Sequence, residues 1–389
     1  MRTWRRKTIV ALLAFAGCPL AGAEDHSVDV PAQAGGTLSS KIDTLFQSFE
    51  QQAGPGCAVG VIHNGRYLHK AGYGMANLEY KIAIDGATVF RIGSTSKQFT
   101  AMAVALLAEQ GKIDLDADIR EYLPDLIPYQ HKVTIRQIIH HLGGMGDYDH
   151  PVFKKADGAE FRFGNEDYWT ISEFYQRVRQ ADLELPPGEQ WQYSNLGYFL
   201  LSQLVEKVSG QTLSQFAAQN IFAPLGMTHT LFNDNVRQII PRRADGYLKL
   251  PGGGYETYMT NLDWVGDGGV YTSLEDFILW DRNFYHNVLG KTGSQLIEQF
   301  STPGENTDHS SEEGTPETYS FGQFHGNLQG QPAIYHSGSW VGFKSFYSRF
   351  PELGLSTVMF CNAEHIDARK LSERVIQLSL QTLNINTSR

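Results

Sequence analysis

The sequence predicts an α+β fold, an α/β sandwich in which one antiparallel sheet is assembled from the two ends of the chain and flanked by helices, with a mainly helical lobe inserted between them. Two observations carry this expectation. Strand-like runs occur near both ends, at 57–73 and 333–361, and helical segments dominate the stretch from about 115 to 260. The folded domain is expected over 38–383, behind a signal peptide at 1–23 and a flexible leader at 24–37.

The N-terminus reads as a targeting segment. Arg2, Arg5, Arg6 and Lys7 precede the apolar run Ile9 to Phe15, and Ala21-Gly22-Ala23 supplies a small-x-small cleavage site. That run is far below the ~20 residues that span a bilayer, so export to the periplasm or cell envelope is expected, with a mature chain starting near Glu24. Phe15-Ala16-Gly17-Cys18 also matches an imperfect lipoprotein signal that would put a lipid anchor on Cys18, and Arg5-Arg6 is a weak twin-arginine feature.

Beyond the polar leader, Leu38, Ile42, Leu45, Phe46 and Phe49 recur at helical spacing, and Gly54-Pro55-Gly56 stops the helix. Cys57 to His63 and Arg66 to Tyr73 flank Asn64-Gly65, the pair that most readily takes the positive φ angles of a tight hairpin. Ser94 to Gln110 carries Phe99, Met102 and Leu106 on one side, with Gly111 as C-cap. Helices follow over Leu196 to Val208 and Thr212 to Phe222, where Thr212 and Gln215 fit a capping box, and a second box at Thr272 to Asp276 opens a helix toward His286. A loop is expected around 301–317, then strands at Ala333 to Ser339, Lys344 to Phe350 and Leu355 to Cys361. A final helix from Asp367 presents Leu371, Val375 and Leu378 to the sheet.

Composition narrows the function. With 41% apolar residues the chain can bury a large core, and a net charge of −10 with no basic cluster beyond the N-terminus argues against nucleic acid as a partner. Cleavage at Ala23 leaves only Cys57 and Cys361, too few for a disulfide framework; both read as small hydrophobes in apolar strands, with pairing left open. Neither Gly-x-Ser-x-Gly nor His-Glu-x-x-His occurs, and the rings of adjacent His140 and His141 point apart, so no metal or cofactor is expected.

The chemistry gathers on three short segments. Ser94-Thr95-Ser96-Lys97 is the only place where Ser precedes Lys by three, a spacing that puts hydroxyl and ammonium on one helix face beside the helix N-terminus. Lys97 could then accept the Ser94 proton when neutral, or steady the alkoxide when charged. Tyr193-Ser194-Asn195 follows the turn-forming Pro186-Pro187-Gly188; a phenol beside cations ionises below its usual ~10, which would make Tyr193 a general base toward Ser94, and Asn195 could bond Lys97 or a substrate amide. His336-Ser337-Gly338-Ser339 lies on a predicted strand, where Gly338 would let a substrate backbone lie alongside and the Ser339 amide would join that of Ser94 in an oxyanion hole. Lys291-Thr292-Gly293 and Tyr285-His286-Asn287 spell similar motifs, but in a helical context without the strand that must line a cleft, and Gly290-Lys291-Thr292 lacks the first glycine of a phosphate loop.

These motifs, in this order, resemble the active-site serine penicillin-recognising hydrolases, in the branch that holds class C β-lactamases, DD-carboxypeptidases, D-aminopeptidases and related esterases. The resemblance extends over most of 40–383 and includes Phe90-Arg91-Ile92-Gly93 and Pro224-Leu225-Gly226-Met227, whereas Leu142-Gly143-Gly144 stands where a Thr-Ser-Gly is common. It implies the β-lactamase/transpeptidase-like fold, Ser94 as nucleophile, Lys97 and Tyr193 as the proton-transfer pair, Asn195 and His336 as polar support, and Ser337 and Gly338 in substrate binding. A monomer acting on D-amino-acid peptides, β-lactams or esters is expected, with DD-carboxypeptidase or D-aminopeptidase chemistry favoured over a β-lactamase or esterase. A non-hydrolytic sensor or scaffold for wall fragments is the reading from a different class. Histidine at 336, where β-lactamases carry lysine, predicts that activity on carboxylate-bearing substrates changes with its titration near ~6.5.

Overall fold

In a computed structural model the described residues are 36–51, 53–154, 164–311 and 313–385. The expected signal peptide, its cleavage site, the Cys18 anchor and all but the end of the leader lie outside them.

The main sheet has eight strands: β1 (Cys57–His63), β2 (Arg66–Tyr73), β3 (His309–Ser310), β4 (Pro316–Tyr319), β5 (Phe324–Leu328), β6 (Gln331–Trp340), β7 (Phe343–Phe350) and β8 (Leu355–Cys361). Their order is β3-β4-β5-β6-β7-β8-β1-β2, with each neighbour antiparallel. The chain's two ends therefore meet at the β8–β1 pair, as the strand patterns predict. Asn64 and Gly65 turn the β1–β2 hairpin at φ of 50° and 72°.

Among the described residues five helices are long, α1 (Leu38–Gln51), α2 (Lys97–Glu109), α3 (Asn195–Ser209), α4 (Leu274–His286) and α5 (Ala368–Thr382); α1, α2, α4 and α5 flank this sheet, and α3 packs against α2. Alternation along the central strands explains the layering, because successive side chains point to opposite faces. Val59, Val61 and Met359 join Ile42 and Phe46 of α1 and Val375 and Leu380 of α5 on one side. Ala58, Ile62, Val358 and Phe360 meet Phe99 of α2 and Phe277 of α4 on the other. Between 115 and 260 the chain forms α3 and shorter helices, with brief strands at Leu231–Phe232, Tyr247–Lys249 and Tyr255–Thr257.

Two local expectations come out differently, and one question left open is answered. The 301–317 loop contains β3 and the start of β4, whose short polar sequences carry no apolar alternation. Cys57 and Cys361, whose pairing the sequence leaves open, are disulfide-bonded; they are register partners of β1 and β8 with Cα atoms 4.0 Å apart, so the bridge clamps the junction between the chain's ends. At α4, Ser273 caps Asp276 N–H, but the Asp276 carboxylate turns away to the His229 amide and the Thr230 hydroxyl, leaving the capping box half made.

Candidate active site

Ser94 lies in a single 3-10 turn, Gly93–Ser96, that runs directly into α2. Polar side chains of this turn and of the start of α2 fix it on two sides. Ser96 Oγ accepts from Val270 N–H at 3.0 Å and Thr100 Oγ1 donates to the Gly266 carbonyl at 2.6 Å, stitching α2 to the 266–270 segment. Thr95 Oγ1 bonds Ser345 Oγ of β7 at 2.8 Å, and Ser345 Oγ donates to the Ile92 carbonyl at 2.7 Å.

Lys97 reaches back to Ser94 as its spacing predicts. Its Nζ lies 3.3 Å from Ser94 Oγ and donates to Asn195 Oδ1 and the Asp267 carbonyl, both at 2.6 Å. The last two partners can only accept, so two N–H groups are committed there, and the third position faces a hydroxyl that can accept or donate. Burial pushes the Lys97 ammonium down from 10.5 to about 8, against the pull of the Asp267 and Asp147 carboxylates. About a tenth of the amine is then unprotonated at pH 7, with its lone pair directed at the Ser94 hydroxyl. Asn195 is held in turn by Asp147, which accepts from its Nδ2 at 3.0 Å on both carboxylate oxygens. Burial raises both carboxyls, Asp147 to about 6, with Lys97 opposing the shift in each.

The Tyr193-Ser194-Asn195 segment divides its labour. Ser194 is the N-cap of α3, accepting from Gly197 N–H at 2.9 Å and donating to the Gly146 carbonyl at 2.6 Å, which leaves Tyr193 and Asn195 to face Ser94 and Lys97. Tyr193 does not have the depressed pKa expected of it. Burial raises the phenol well above 10 and outweighs its bond to Ser94, so it stands protonated, with the Lys97 Nζ 4.8 Å from its ring centre.

His336 also departs from expectation. Its Nδ1 donates to the Ser337 carbonyl at 2.6 Å, which fixes the neutral tautomer, and its Nε2 then accepts from the Tyr319 hydroxyl at 3.1 Å. Burial, with Lys97 nearby, pushes the ring down to about 3, so it carries no charge near neutrality and pulls on no carboxylate. As pH falls from the unfolded value of ~6.5 toward about 3, the unfolded chain binds the proton that the folded ring refuses, and stability is lost across that window. Imidazole resonances followed by NMR should show no His336 titration between pH 5 and 8; an inflection near 6.5 would restore the charged reading. His141 packs in the same ring cluster, 4.4 Å from Tyr193 and 4.5 Å from Tyr319 by ring centres, and accepts from Ser194 N–H at 3.1 Å. His140 points elsewhere, bonding the Arg136 carbonyl, as expected of diverging rings.

A cavity of about 430 Å³ opens over Ser94, lined also by Arg91, Asn195, Asp267, Ser339 and Trp340. Ser94 and Ser339 thus share one wall, while Ser337 lines a neighbouring groove with Lys344 and Asp367 and does not face Ser94. Gly338 does not make room for a substrate. A Cβ there would lie 2.0 Å from the Ile92 carbonyl oxygen and 2.3 Å from Ser345 Oγ, so the missing side chain admits the segment that carries Ser94.

The look-alike Lys291-Thr292-Gly293 sits far from this cavity. The Lys291 and Thr292 amides donate to Glu109, at the opposite end of α2 from Ser94, about 20 Å away at ~1.5 Å per helical residue. Tyr285 and His286 end α4, with Asn287 as its left-handed C-cap. Sequence reasoning missed Asp147 and Asp267, and with them Tyr148 and Trp264, whose hydroxyl and Nε1 both donate to Asp267. The acid set among three glycines in Gly266-Asp267-Gly268-Gly269 was the available signal.

A family model described as Beta-lactamase matches residues 42–381. A D-aminopeptidase of Gluconobacter oxydans is 27% identical over 323 residues, covering 83% of this chain and 58% of that protein, so the chain spans less than two thirds of that relative. Penicillin-binding protein 4* of Bacillus subtilis is 28% identical over 347 residues, 83% of this chain and 71% of that protein. An octameric penicillin-binding protein homologue from Pyrococcus abyssi has a TM-score of 0.76 at 22% identity, over 90% of this chain and 78% of the other. D-amino acid amidase from Ochrobactrum anthropi SV3 has a TM-score of 0.71 at 20% identity, over 89% and 99%. At these identities the two structures speak for the fold.

Proposed function

The chain belongs to the Beta-lactamase family, and from that premise we propose that it is a serine hydrolase working through a Ser94 acyl-enzyme on D-amino-acid peptides and related amides or esters of the cell envelope. One observation carries the reading. Lys97 is bound by two obligate acceptors and meets Ser94 with its remaining valence, so an unprotonated Lys97 has a single hydroxyl proton to take.

In the proposed reaction Ser94 Oγ bonds to the substrate carbonyl carbon as its proton moves to Lys97 Nζ. The backbone amides of Ser94 and Ser339 bind the oxyanion, each donor worth ~2.7–4 kcal/mol in the transition state. Collapse breaks the bond to the leaving amine or alcohol, which departs with a proton passed from Lys97 through the Tyr193 hydroxyl. A protonated phenol suits that relay better than it suits an independent base. Water then attacks the ester, gives its proton to the same pair, and releases the acid and Ser94.

The relatives named D-aminopeptidase and the amidase-like fold favour D-amino-acid substrates. The N-terminal signal favours export, and the Cys57–Cys361 bridge suits an oxidising compartment. Intact-mass spectrometry after incubation with a fluorescent penicillin and with an activated ester tests the proposal. It expects an adduct on Ser94 that Ser94→Ala lacks; no adduct with any probe would favour the sensor or scaffold. Turnover of D-alanyl peptides, p-nitrophenyl esters and nitrocefin then ranks the substrate classes.

A further inference from the structure

Asn195 touches Lys97 with one end of its amide and Asp147 with the other. Its Oδ1 accepts from Lys97 Nζ at 2.6 Å, and its Nδ2 donates to both carboxylate oxygens of Asp147 at 3.0 Å. An ionised carboxylate can only accept, so it settles which end of the amide faces which partner. Turned end for end about its Cβ–Cγ bond, Asn195 would set its own oxygen against the two Asp147 oxygens and its NH2 group against Lys97. Asp147 is itself fixed in place. The carbonyl of Gly146, a residue with a φ of 68°, accepts from the Ser194 hydroxyl at 2.6 Å, and the Asp147 carbonyl accepts from His150 N–H at 2.9 Å.

The orientation of this amide decides where the neutral Lys97 directs its lone pair. An ammonium has three N–H groups and no lone pair, so it holds the Asn195 oxygen toward itself unaided. A neutral amine has two N–H groups and one lone pair. With those N–H groups on Asn195 Oδ1 and the Asp267 carbonyl, the lone pair is left for the Ser94 hydroxyl 3.3 Å away. With Asn195 turned round, an amide N–H would meet that lone pair and draw the base away from Ser94. We infer that Asp147 is a positioning residue, a lock that keeps Asn195 from donating to the neutral Lys97 and so reserves the Lys97 lone pair for Ser94. A carboxylate suits the task because charge-assisted hydrogen bonds are roughly twice as strong as neutral ones. This role rests on the hydrolase reading in taking Lys97 as the base. Its rival is an Asp147 that only braces its own loop.

Asp147→Asn keeps the shape and one acceptor but adds an NH2 group that can satisfy the turned Asn195 oxygen. Stopped-flow acylation by an activated ester should then level off at high pH about tenfold below the wild-type rate, with the half-saturating ester concentration changed by less than about twofold. The titratable groups around Lys97 are Asp147, Asp267, Tyr193, Tyr198, His141 and His336, and the two carboxylates are the ones that support its ammonium. With Asp147 replaced by a neutral residue, the inflection near 8 should therefore move to lower pH. The deciding comparison is made in Asn195→Ala, where no amide remains to turn. There Asp147→Asn should still move the inflection but change the plateau rate by less than about twofold.

An unchanged plateau in Asp147→Asn, an effect confined to the half-saturating concentration, or a loss of equal size in the Asn195→Ala background would overturn the lock. Thermal melting shows whether each variant folds; if Asp147→Asn does not, Asp147→Ala, which also releases the amide, is held to the same expectations. An absent Ser94 adduct in the wild-type protein is a failure of the hydrolase reading instead, and the lock is then read by NMR without turnover. In protein with isotope-labelled asparagine, the Asn195 NH2 group should give one pair of resonances throughout the Lys97 titration in wild type, and a second pair at high pH in Asp147→Asn. A single pair in both proteins would return Asp147 to its loop.

Discussion

Lys97→Met should slow acylation of Ser94 by about 10²- to 10⁴-fold, the range that a positioned general base contributes. Methionine keeps most of the stem's volume, so the apolar packing survives while the proton acceptor is removed. The change leaves Asn195 Oδ1 and the Asp267 carbonyl without their donor, at ~1–3 kcal/mol each, but it also removes a buried charge; unfolding curves must accompany the kinetics. The wild-type profile supplies an internal check. Burial lowers the Lys97 pKa to about 8 and the active form is the neutral amine, so acylation by an activated ester should rise tenfold per pH unit below about 8 and level off above it. Stopped-flow measurement across pH 6 to 10 tests both statements. If Lys97→Met acylates at a wild-type rate, or keeps the same inflection, the base lies elsewhere.

What the sequence disclosed about this site follows the range over which its signals act. Ser94 and Lys97 were legible because i and i+3 on one helix must share a face, and the β1–β2 hairpin because Asn64-Gly65 takes positive φ angles that few pairs tolerate. The β8–β1 junction was legible from alternation in both strands, yet the bridge inside it was not. Cys57 and Cys361 stand 304 positions apart, and only the register of the assembled sheet makes them neighbours. Asp147 and Asp267 escaped notice for the same reason, since each meets the Lys97–Asn195 pair across the fold and one of them does so through a backbone carbonyl that no side-chain pattern encodes. Tyr193 meets Ser94 as expected, and His336 lies near Tyr193 and Lys97, but both were given the wrong protonation. Residue type suggests a pKa near the free value, or one lowered by neighbouring cations, whereas complete burial raises the phenol beyond what its bond to Ser94 offsets, and burial together with the Lys97 charge lowers the imidazole.

Gly338→Ala should cost about 10²-fold or more in kcat/KM and lower the melting temperature of the free protein. The added Cβ would fall 2.0 Å from the Ile92 carbonyl oxygen and 2.3 Å from Ser345 Oγ, inside the 2.7 Å hydrogen bond that joins those two atoms. One of the obstacles is backbone, so relief requires moving either β6 or the Ile92-Gly93-Ser94 segment. The opposing surface is just as tight: Gly93 has a φ of 51°, and a Cβ on it would meet Ser339 N at 2.7 Å. The two glycines let the nucleophile's turn and the strand bearing Ser339 approach backbone to backbone. A displacement near 1 Å there separates Ser94 Oγ from Lys97 and misaligns the two amides, an error that costs about 10²-fold in other sites. Overpacking of this kind destabilises by ~1–3 kcal/mol even with no ligand present. A glycine kept open for the substrate behaves differently, because its replacement would raise KM while leaving the unfolding temperature of the free protein unchanged. Calorimetric melting of Gly338→Ala beside its steady-state kinetics distinguishes the two: an unchanged melt with an effect confined to KM would return Gly338 to the substrate.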